Sequence, residues 1–288
     1  MSYIFKILDK AAKRLKTAEI DTARLDAEVL LADVLKIKRV DLILKRDKAI
    51  TDEQHARFNE FIDERVRRRP VSQIVGMREF WSLPIKVNEH VLTPRPETEG
   101  IVEFALGRFP KDAQLDILDL CTGSGCIAAA LATEFPNARI TATDISPKAL
   151  DIARENLAFA SNRIELLQGN IFDVFETRAT SPEPRLFDLI VSNPPYIGED
   201  ECLTLPPEVR DYEPREALAA GRDGLAILRK ISQYAPRYIN SGGWLVVEFG
   251  MGQAHAVSDM LLDTESFSAI SIKRDLAGIE RIVGARKQ

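Results

Sequence analysis

The sequence predicts an α/β fold: a doubly wound, mostly parallel sheet ending in an antiparallel hairpin, preceded by a small all-helical domain. Three observations carry this. After about Pro94, apolar runs of strand length alternate with amphipathic helical segments. The last two runs are separated only by Lys273–Gly278, which leaves room for a hairpin and too little for a helical crossover. Before Pro94, the apolar residues keep helical spacing instead.

In chain order, Tyr3–Leu15 places Ile4, Ile7, Leu8, Ala11, Ala12 and Leu15 on one helical stripe. Asp21 is positioned to cap a second helix carrying Leu25, Val29, Leu30 and Val34. Thr51-Asp52-Glu53-Gln54 has the capping-box pattern and opens a third helix to about Arg69, where Pro70 ends it. Phe80–Leu92 alternates enough for a hairpin with Leu83, Ile85 and Val87 on its apolar face. Strands are then expected at Leu115–Leu120, Arg139–Thr143, Ile164–Leu167, Phe187–Ser192, Trp244–Phe249, Ala269–Ile272 and Ile279–Gly284. Helices fit between them at Ile127–Phe135, Pro147–Ala160, Leu225–Ile239 and Gln253–Leu262. The resulting division is a helical domain over 1–78, a hairpin linker over 79–95 and the α/β domain over 96–288.

The chain has 288 residues, 45% of them apolar, enough for two cored domains. No apolar run approaches the roughly 18–20 residues of a membrane span, and the start lacks a signal-peptide pattern, so a cytoplasmic protein is expected. Cys121, Cys126 and Cys202 are an odd number without a C-x-x-C pair, which indicates neither a disulfide framework nor a metal site. The net charge of −5 is uneven, since residues 1–90 carry a basic excess and the remainder an acidic one. The basic excess includes Arg65, Arg67, Arg68 and Arg69, read either as a solvated helix end or as a patch facing an acidic partner or RNA.

Asp116–Leu120 followed by Cys121-Thr122-Gly123-Ser124-Gly125-Cys126 reads as strand, glycine turn and helix start. Gly123 and Gly125 permit backbone angles closed to other residues, and the helix N-terminus offers unpaired N–H groups to an anionic ligand group. The pattern suits a dinucleotide or S-adenosylmethionine equally. Asp144 lies at the end of the next strand, about 20 residues downstream, where it can accept both ribose hydroxyls; it can also simply cap the helix that follows. After the third strand, Asn170 is placed to pair with adenine, and Ile171 or Phe172 to cover the ring or to join the core.

The most specific signal is Phe187–Ser192 followed by Asn193-Pro194-Pro195-Tyr196. An amide or aromatic amine nitrogen is a poor nucleophile because its lone pair is delocalised. The side-chain oxygen of Asn193 and the carbonyl of Pro194 can hold an NH2 group so that its lone pair turns toward an electrophile. Proline offers no competing N–H and stiffens the loop, while Tyr196 supplies a flat face for the planar group. Methyl transfer to such a nitrogen then needs alignment rather than a strong base. A plain surface turn is the alternative for an isolated Asn-Pro, but not for one at the end of a buried strand in this α/β pattern.

The chain resembles the HemK/PrmC family, the release factor glutamine methyltransferases. The resemblance rests on Val87–Glu99 with its Pro-Arg-Pro-Glu-Thr-Glu stretch, Asp119–Gly125, Asn193–Tyr196, Glu213–Leu218 and Gly278–Arg286. It implies a class I, Rossmann-like methyltransferase domain with S-adenosyl-L-methionine as cofactor. The implied substrate is the Gly-Gly-Gln glutamine of bacterial peptide chain release factors, methylated on its amide nitrogen; the helical domain, with no cluster of catalytic residue types and a charge opposite to the rest, is expected to recognise it. It further implies that Cys121, Thr122, Gly123, Ser124, Gly125, Asp144, Asn170, Ile171 and Asn193 serve the cofactor, and that Asn193, Pro194, Pro195 and Tyr196 serve the glutamine. Family members often carry Asp in place of Asn170, and commonly glycine and alanine in place of Cys121 and Cys126.

Rival readings are a glutamine methyltransferase acting on a ribosomal protein, whose wording resembles Asp119–Cys126, and a DNA adenine-N6 methyltransferase, which uses the same loop. The DNA enzyme would need a basic catalytic face, whereas this half of the chain is acidic, and no stable nucleic-acid binding is expected. A binding protein on a degenerate fold, or an NAD oxidoreductase, would leave the Asn193–Tyr196 loop without a purpose.

Overall fold

A computed structural model of the chain describes residues 3–177 and 185–288. Contacts divide it into two compact units. The first comprises residues 1–77 together with Pro206–Tyr212, and the second Arg78–Leu205 together with Glu213–Gln288.

The first unit holds α1 (Ile4–Thr17), α2 (Ala23–Leu35), α3 (Asp41–Leu44), α4 (Asp52–Val66) and α5 (Val71–Val75). Its core joins Ile4, Leu15, Leu30, Leu31, Phe58 and Ile62. The Thr51 capping box forms, with Gln54 N–H donating to the Thr51 hydroxyl and the Gln54 side chain accepting from Thr51 N–H. Asp21 does not cap α2: the N-cap is Thr22, which makes no side-chain capping bond, and the helix starts at Ala23. The third helix stops at Val66, short of Arg69, because Arg68 turns to a φ of +73°.

The second unit opens inside the hairpin of β1 (Met77–Phe80, whose Met77 is counted with the first unit) and β2 (Leu83–Lys86), joined by Trp81 and Ser82, both at positive φ. The hairpin lies earlier in the chain than the expected Phe80–Leu92, and of the expected apolar face Ile85 and Val87 are buried and Leu83 is half-buried. Then follow α6 (Glu99–Leu106), β3 (Asp116–Leu120), α7 (Cys126–Glu134), β4 (Arg139–Asp144), α8 (Pro147–Asn156), β5 (Ile164–Gln168), α9 (Asp173–Thr177) and β6 (Phe187–Ser192). The chain continues through α10 (Glu199–Cys202), α11 (Pro207–Arg210, in the first unit), α12 (Ala226–Tyr234), β7 (Ile239–Glu248), α13 (Ala254–Leu262), β8 (Phe267–Arg274) and β9 (Glu280–Lys287).

The seven-stranded sheet has the order β5-β4-β3-β6-β7-β9-β8. Strands β3 to β7 run parallel, whereas β9 is antiparallel to both β7 and β8, so the sheet ends in the expected hairpin. One face buries Ile117, Leu189, Val191 and α7; the other buries Leu118, Ile190, Leu245 and α12. The order reverses between β3 and β6, and in open α/β sheets the crevice beyond the strand ends at such a point is where ligands bind. Helices α8 and α12 end at Asn156 and Tyr234, short of the expected Ala160 and Ile239, and two further elements depart more. Strand β7 starts at Ile239 rather than Trp244, passing through Gly242 and Gly243 beside a register shift against β6. Helix α6 was not foreseen; a side chain at Gly100 would collide with Ile282, so glycine lets this helix lie close on the sheet.

Candidate active site

The C-terminal ends of β3, β4, β5 and β6 surround one cavity. Its wall includes Cys121, Thr122, Gly123, Ser124, Asp144, Asn170, Ile171, Asn193 and Pro195, which the sequence reading had scattered over 75 residues of chain. Gly125, Pro194 and Tyr196 are not part of that wall.

The loop after β3 is shaped by left-handed backbone. Cys121, Gly123 and Gly125 have φ of +57°, +55° and +78°. A side chain at Gly125 would press on Ala153 and Leu157, so this glycine admits α8 against the loop, while the space beside Gly123 is open. Cys121 holds a conformation that glycine takes freely, at a strain of roughly 1–3 kcal/mol. Thr122 N–H donates to Thr143 O at 2.9 Å, and the Thr122 hydroxyl to the fully buried Asp119 at 2.6 Å. Burial pushes the Asp119 carboxyl up to about 7. Asn156 fixes the far side of the loop by donating to Ser124 O at 2.8 Å.

Asp144 ends β4 at the cavity wall. One carboxylate oxygen accepts from Gly123 N–H and the other from Ser146 N–H, both at 2.9 Å. Each oxygen keeps a lone pair, enough to accept a vicinal diol. Burial raises its pKa, and backbone hydrogen bonds from Ser146, Gly123 and Ile145 counter the shift. The helix-capping alternative goes to Ser146, whose hydroxyl accepts from Ala149 N–H. After β5, Asn170 and Ile171 reach the cavity, whereas Phe172 stacks on Tyr238 at 4.7 Å inside the core. Ile171 has a φ of +54°, an outlying conformation for a β-branched residue. Ile145 and Leu92 supply apolar wall for a flat ring.

Asn193 follows β6, and its Nδ2 donates to Thr98 Oγ1 at 3.1 Å. With the amide nitrogen engaged, Oδ1 remains the acceptor. Tyr196 donates its hydroxyl to Glu248 Oε1 at 3.1 Å, and its carbonyl accepts from the Gln253 amide at 2.9 Å. A Cβ at Gly224, which has a φ of +72°, would lie 2.3 Å from that carbonyl, so only glycine fits against the loop there. Burial pushes the Tyr196 phenol up and out of the physiological range, and the neighbouring Glu248 adds to the shift. Glu248 is fully buried and has its own pKa raised to about 7 by burial.

Thr98, Asp119 and Glu248 were missed in the sequence. Thr98 belongs to the Pro-Arg-Pro-Glu-Thr-Glu stretch, noted for its wording only. Asp119 and Glu248 are charged residues inside the apolar runs Ile117–Leu120 and Val246–Phe249, and that is the signal by which they can be found. A further pair, Arg95 to the almost fully buried Glu213 at 2.8 Å, ties that stretch to Glu213–Leu218, whose Pro214, Glu216 and Ala217 line the cavity.

A seven-stranded sheet of this order, a glycine loop with an acid after the next strand, and an Asn-Pro-Pro-Tyr turn whose Asn193 and Pro195 line the same cavity define a class I S-adenosylmethionine-dependent methyltransferase. Residues 6–76 match the PrmC N-terminal domain and residues 102–204 the methyltransferase small domain. The release factor glutamine methyltransferase of Geobacter sulfurreducens is 41% identical over 283 residues, 98% of this chain and 96% of the relative. That of Cereibacter sphaeroides is 42% identical over 281 residues, 97% and 96% of the two chains. Among solved structures, a methyltransferase from Pyrococcus furiosus shares the fold, with a TM-score of 0.50 and 18% identity over 71% of this chain and 89% of that one. The chain belongs to the release factor glutamine methyltransferase family.

Proposed function

We propose that this protein transfers a methyl group from S-adenosyl-L-methionine to the side-chain amide nitrogen of the Gly-Gly-Gln glutamine of bacterial peptide chain release factors. The observation that carries the chemistry is the pairing of Asn193 with Thr98, which commits the Asn193 nitrogen and leaves its oxygen to accept from a substrate NH2. The relatives' activity supports the choice of glutamine and of release factors.

The cavity fits the cofactor. Asp144 would take the ribose hydroxyls, the open side of Gly123 and the start of α7 the methionine end, and Asn170 with Ile171 and Ile145 the adenine. When bound, the cofactor supplies an electrophilic methyl group on a sulfonium. Asn193 Oδ1 and the Pro194 carbonyl would then grip the glutamine NH2 and turn its lone pair to that methyl. Alignment of this kind contributes about 7–11 kcal/mol. The nitrogen sheds its proton as the new bond forms, so no residue at the site must act as a strong base; Asn193 has no basic group to offer.

The helical unit, about residues 1–78, is assigned to recognition of the release factor. Pro206–Tyr212 packs within that unit, so deleting the N-terminal residues would also strip the partners of this segment, and surface substitutions are the cleaner probe. Within the arginine cluster, Arg65 and Arg68 both bind Glu208 and Arg69 binds Glu64, which supports a structural role for these three, while Arg67 is exposed. Among the described residues, no helix is long and apolar enough to cross a membrane.

The test offers methyl-labelled cofactor to the protein together with unmodified release factor, ribosomal proteins and DNA. Label on the release-factor glutamine is expected; label on a ribosomal protein or on DNA would establish one of the rival readings instead.

A further inference from the structure

Glu248 ends β7 with no exposed surface and no cation within ion-pairing distance among the described residues. Keeping a carboxylate in that position costs several kcal/mol of desolvation. Its surroundings show what it holds. Oε1 accepts from the Tyr196 hydroxyl at 3.1 Å. Oε2 has no partner at hydrogen-bonding geometry, and the Thr98 hydroxyl stands beside the carboxylate, favouring its charged form. Thr98 Oγ1 in turn accepts from Asn193 Nδ2 at 3.1 Å. One end of the Asn193–Tyr196 turn thus meets the carboxylate directly through the phenol, and the other is held by Thr98, which stands next to that carboxylate and its open Oε2.

We infer that Glu248 is a positioning residue that fixes which end of the Asn193 amide faces the substrate. A hydroxyl donates one proton. While Glu248 is an acceptor, Thr98 gives that proton to it and offers Asn193 only a lone pair, which the Asn193 nitrogen must fill. The Asn193 oxygen is thereby presented to the substrate NH2. A donor at position 248 would reverse the sequence: it would fill the Thr98 lone pair, Thr98 would donate to Asn193 Oδ1, and the Asn193 nitrogen would face the substrate as a like donor. The same carboxylate holds the Tyr196 ring at a fixed distance. This inference rests on the acceptor role given to Asn193 above.

Glu248→Gln provides that donor without changing size. Its single-turnover methyl transfer is expected to fall roughly 10- to 100-fold, with cofactor affinity and thermal unfolding unchanged or improved. Glu248→Asp keeps an acceptor at shorter reach and should recover part of the rate. Thr98→Val cuts the relay while leaving the Glu248 carboxyl and its Tyr196 partner in place, and the Thr98→Val/Glu248→Gln double variant should be no slower than the slower single one. Wild-type transfer should rise with pH through about 7, as Glu248 loses its proton among Tyr196, Glu97 and Arg281, and the Gln variant should lack that rise. A near-normal rate for Glu248→Gln, or losses that multiply in the double variant, would overturn the relay while Asn193→Ala still abolished transfer. A near-normal rate for Asn193→Ala would remove the acceptor role and the relay with it.

Discussion

The two units of this chain bury charge differently: beside the paired Arg95 and Glu213, the methyltransferase unit buries two acids that have no cation among the described residues. In the helical unit, Arg65 and Asp26 are both buried and bound to each other at 2.7 Å, and Arg65 reaches Glu208 at 3.1 Å, where Arg68 joins it. Burial pushes the Glu208 carboxyl up, but its backbone and arginine hydrogen bonds outweigh that and hold it below the usual range. In the methyltransferase unit, Asp119 and Glu248 are buried with no arginine or lysine paired to them among the described residues, each has an oxygen without a hydrogen-bond partner, and both are pushed up to about 7. The first arrangement is what a fold needs to tolerate buried charge. The second is a standing cost, and both of its members touch the loops that form the cavity, Asp119 through Thr122 and Glu248 through Tyr196. The buried acids without a cation among the described residues, Asp119 and Glu248, thus touch the cavity loops, while Asp26 in the helical unit and Glu213 beside the cavity each hold an arginine.

Breaking the paired cluster should have the largest effect on stability. Arg65→Ala leaves Asp26 buried and uncompensated, and we expect about 3–5 kcal/mol of destabilisation of the helical unit. Denaturant unfolding followed by a probe in that unit measures it; a change under about 1 kcal/mol would show that the cluster behaves like a surface pair. Asp144→Ala comes next. It removes the acceptor for a diol and the partner of Gly123 N–H, and calorimetry should show cofactor affinity falling at least tenfold, by analogy with about 1.5–3 kcal/mol for hydrogen bonds to charged groups. Unchanged affinity would refute that assignment.

Asp119→Asn sharpens the comparison through pH. A carboxyl whose folded pKa lies above its unfolded one stabilises the fold while protonated, and that stabilisation is lost as pH rises. For Asp119 the window runs from its ordinary 3.8 to about 7. The Asn variant, which has no charge to bury, should therefore gain stability relative to wild type between pH 5 and 8 in thermal unfolding. A constant difference across that range would mean that Asp119 is not the burden described. The smallest effect is expected from Cys121→Gly, which relieves the left-handed strain at φ +57° while adding backbone freedom to the unfolded chain, for a net change within about 1 kcal/mol.

The same contrast explains what could be read in the sequence. The sheet, its closing hairpin and the residues of the cavity wall were legible because each depends on local pattern: apolar runs, glycine at a turn, an acid at a strand end. The partners of the buried charges were not. Arg65 sits in a run that looks like a solvated helix end, and its partner Glu208 is 143 residues away, in a segment inserted after the Asn193–Tyr196 turn. The Asn193–Thr98 bond spans 95 residues and the Tyr196–Glu248 bond 52, so neither has a periodic signature. Helix α6 was hidden by Gly100 and by β-branched Ile101 and Val102, whose helical state is set by packing on the sheet rather than by propensity.

The central claim is that Asn193 orients the target amide and does no proton chemistry. Single-turnover methyl transfer to unmodified release factor and cofactor affinity, measured side by side for Asn193→Ala, test it most directly. Loss of one of the two acceptors should cost on the order of 100-fold or more in transfer rate, while cofactor affinity, carried by the Gly123 loop and Asp144, stays close to wild type. Near-normal transfer would contradict the claim, and a joint collapse of rate and affinity would assign Asn193 to the cofactor or to the fold instead.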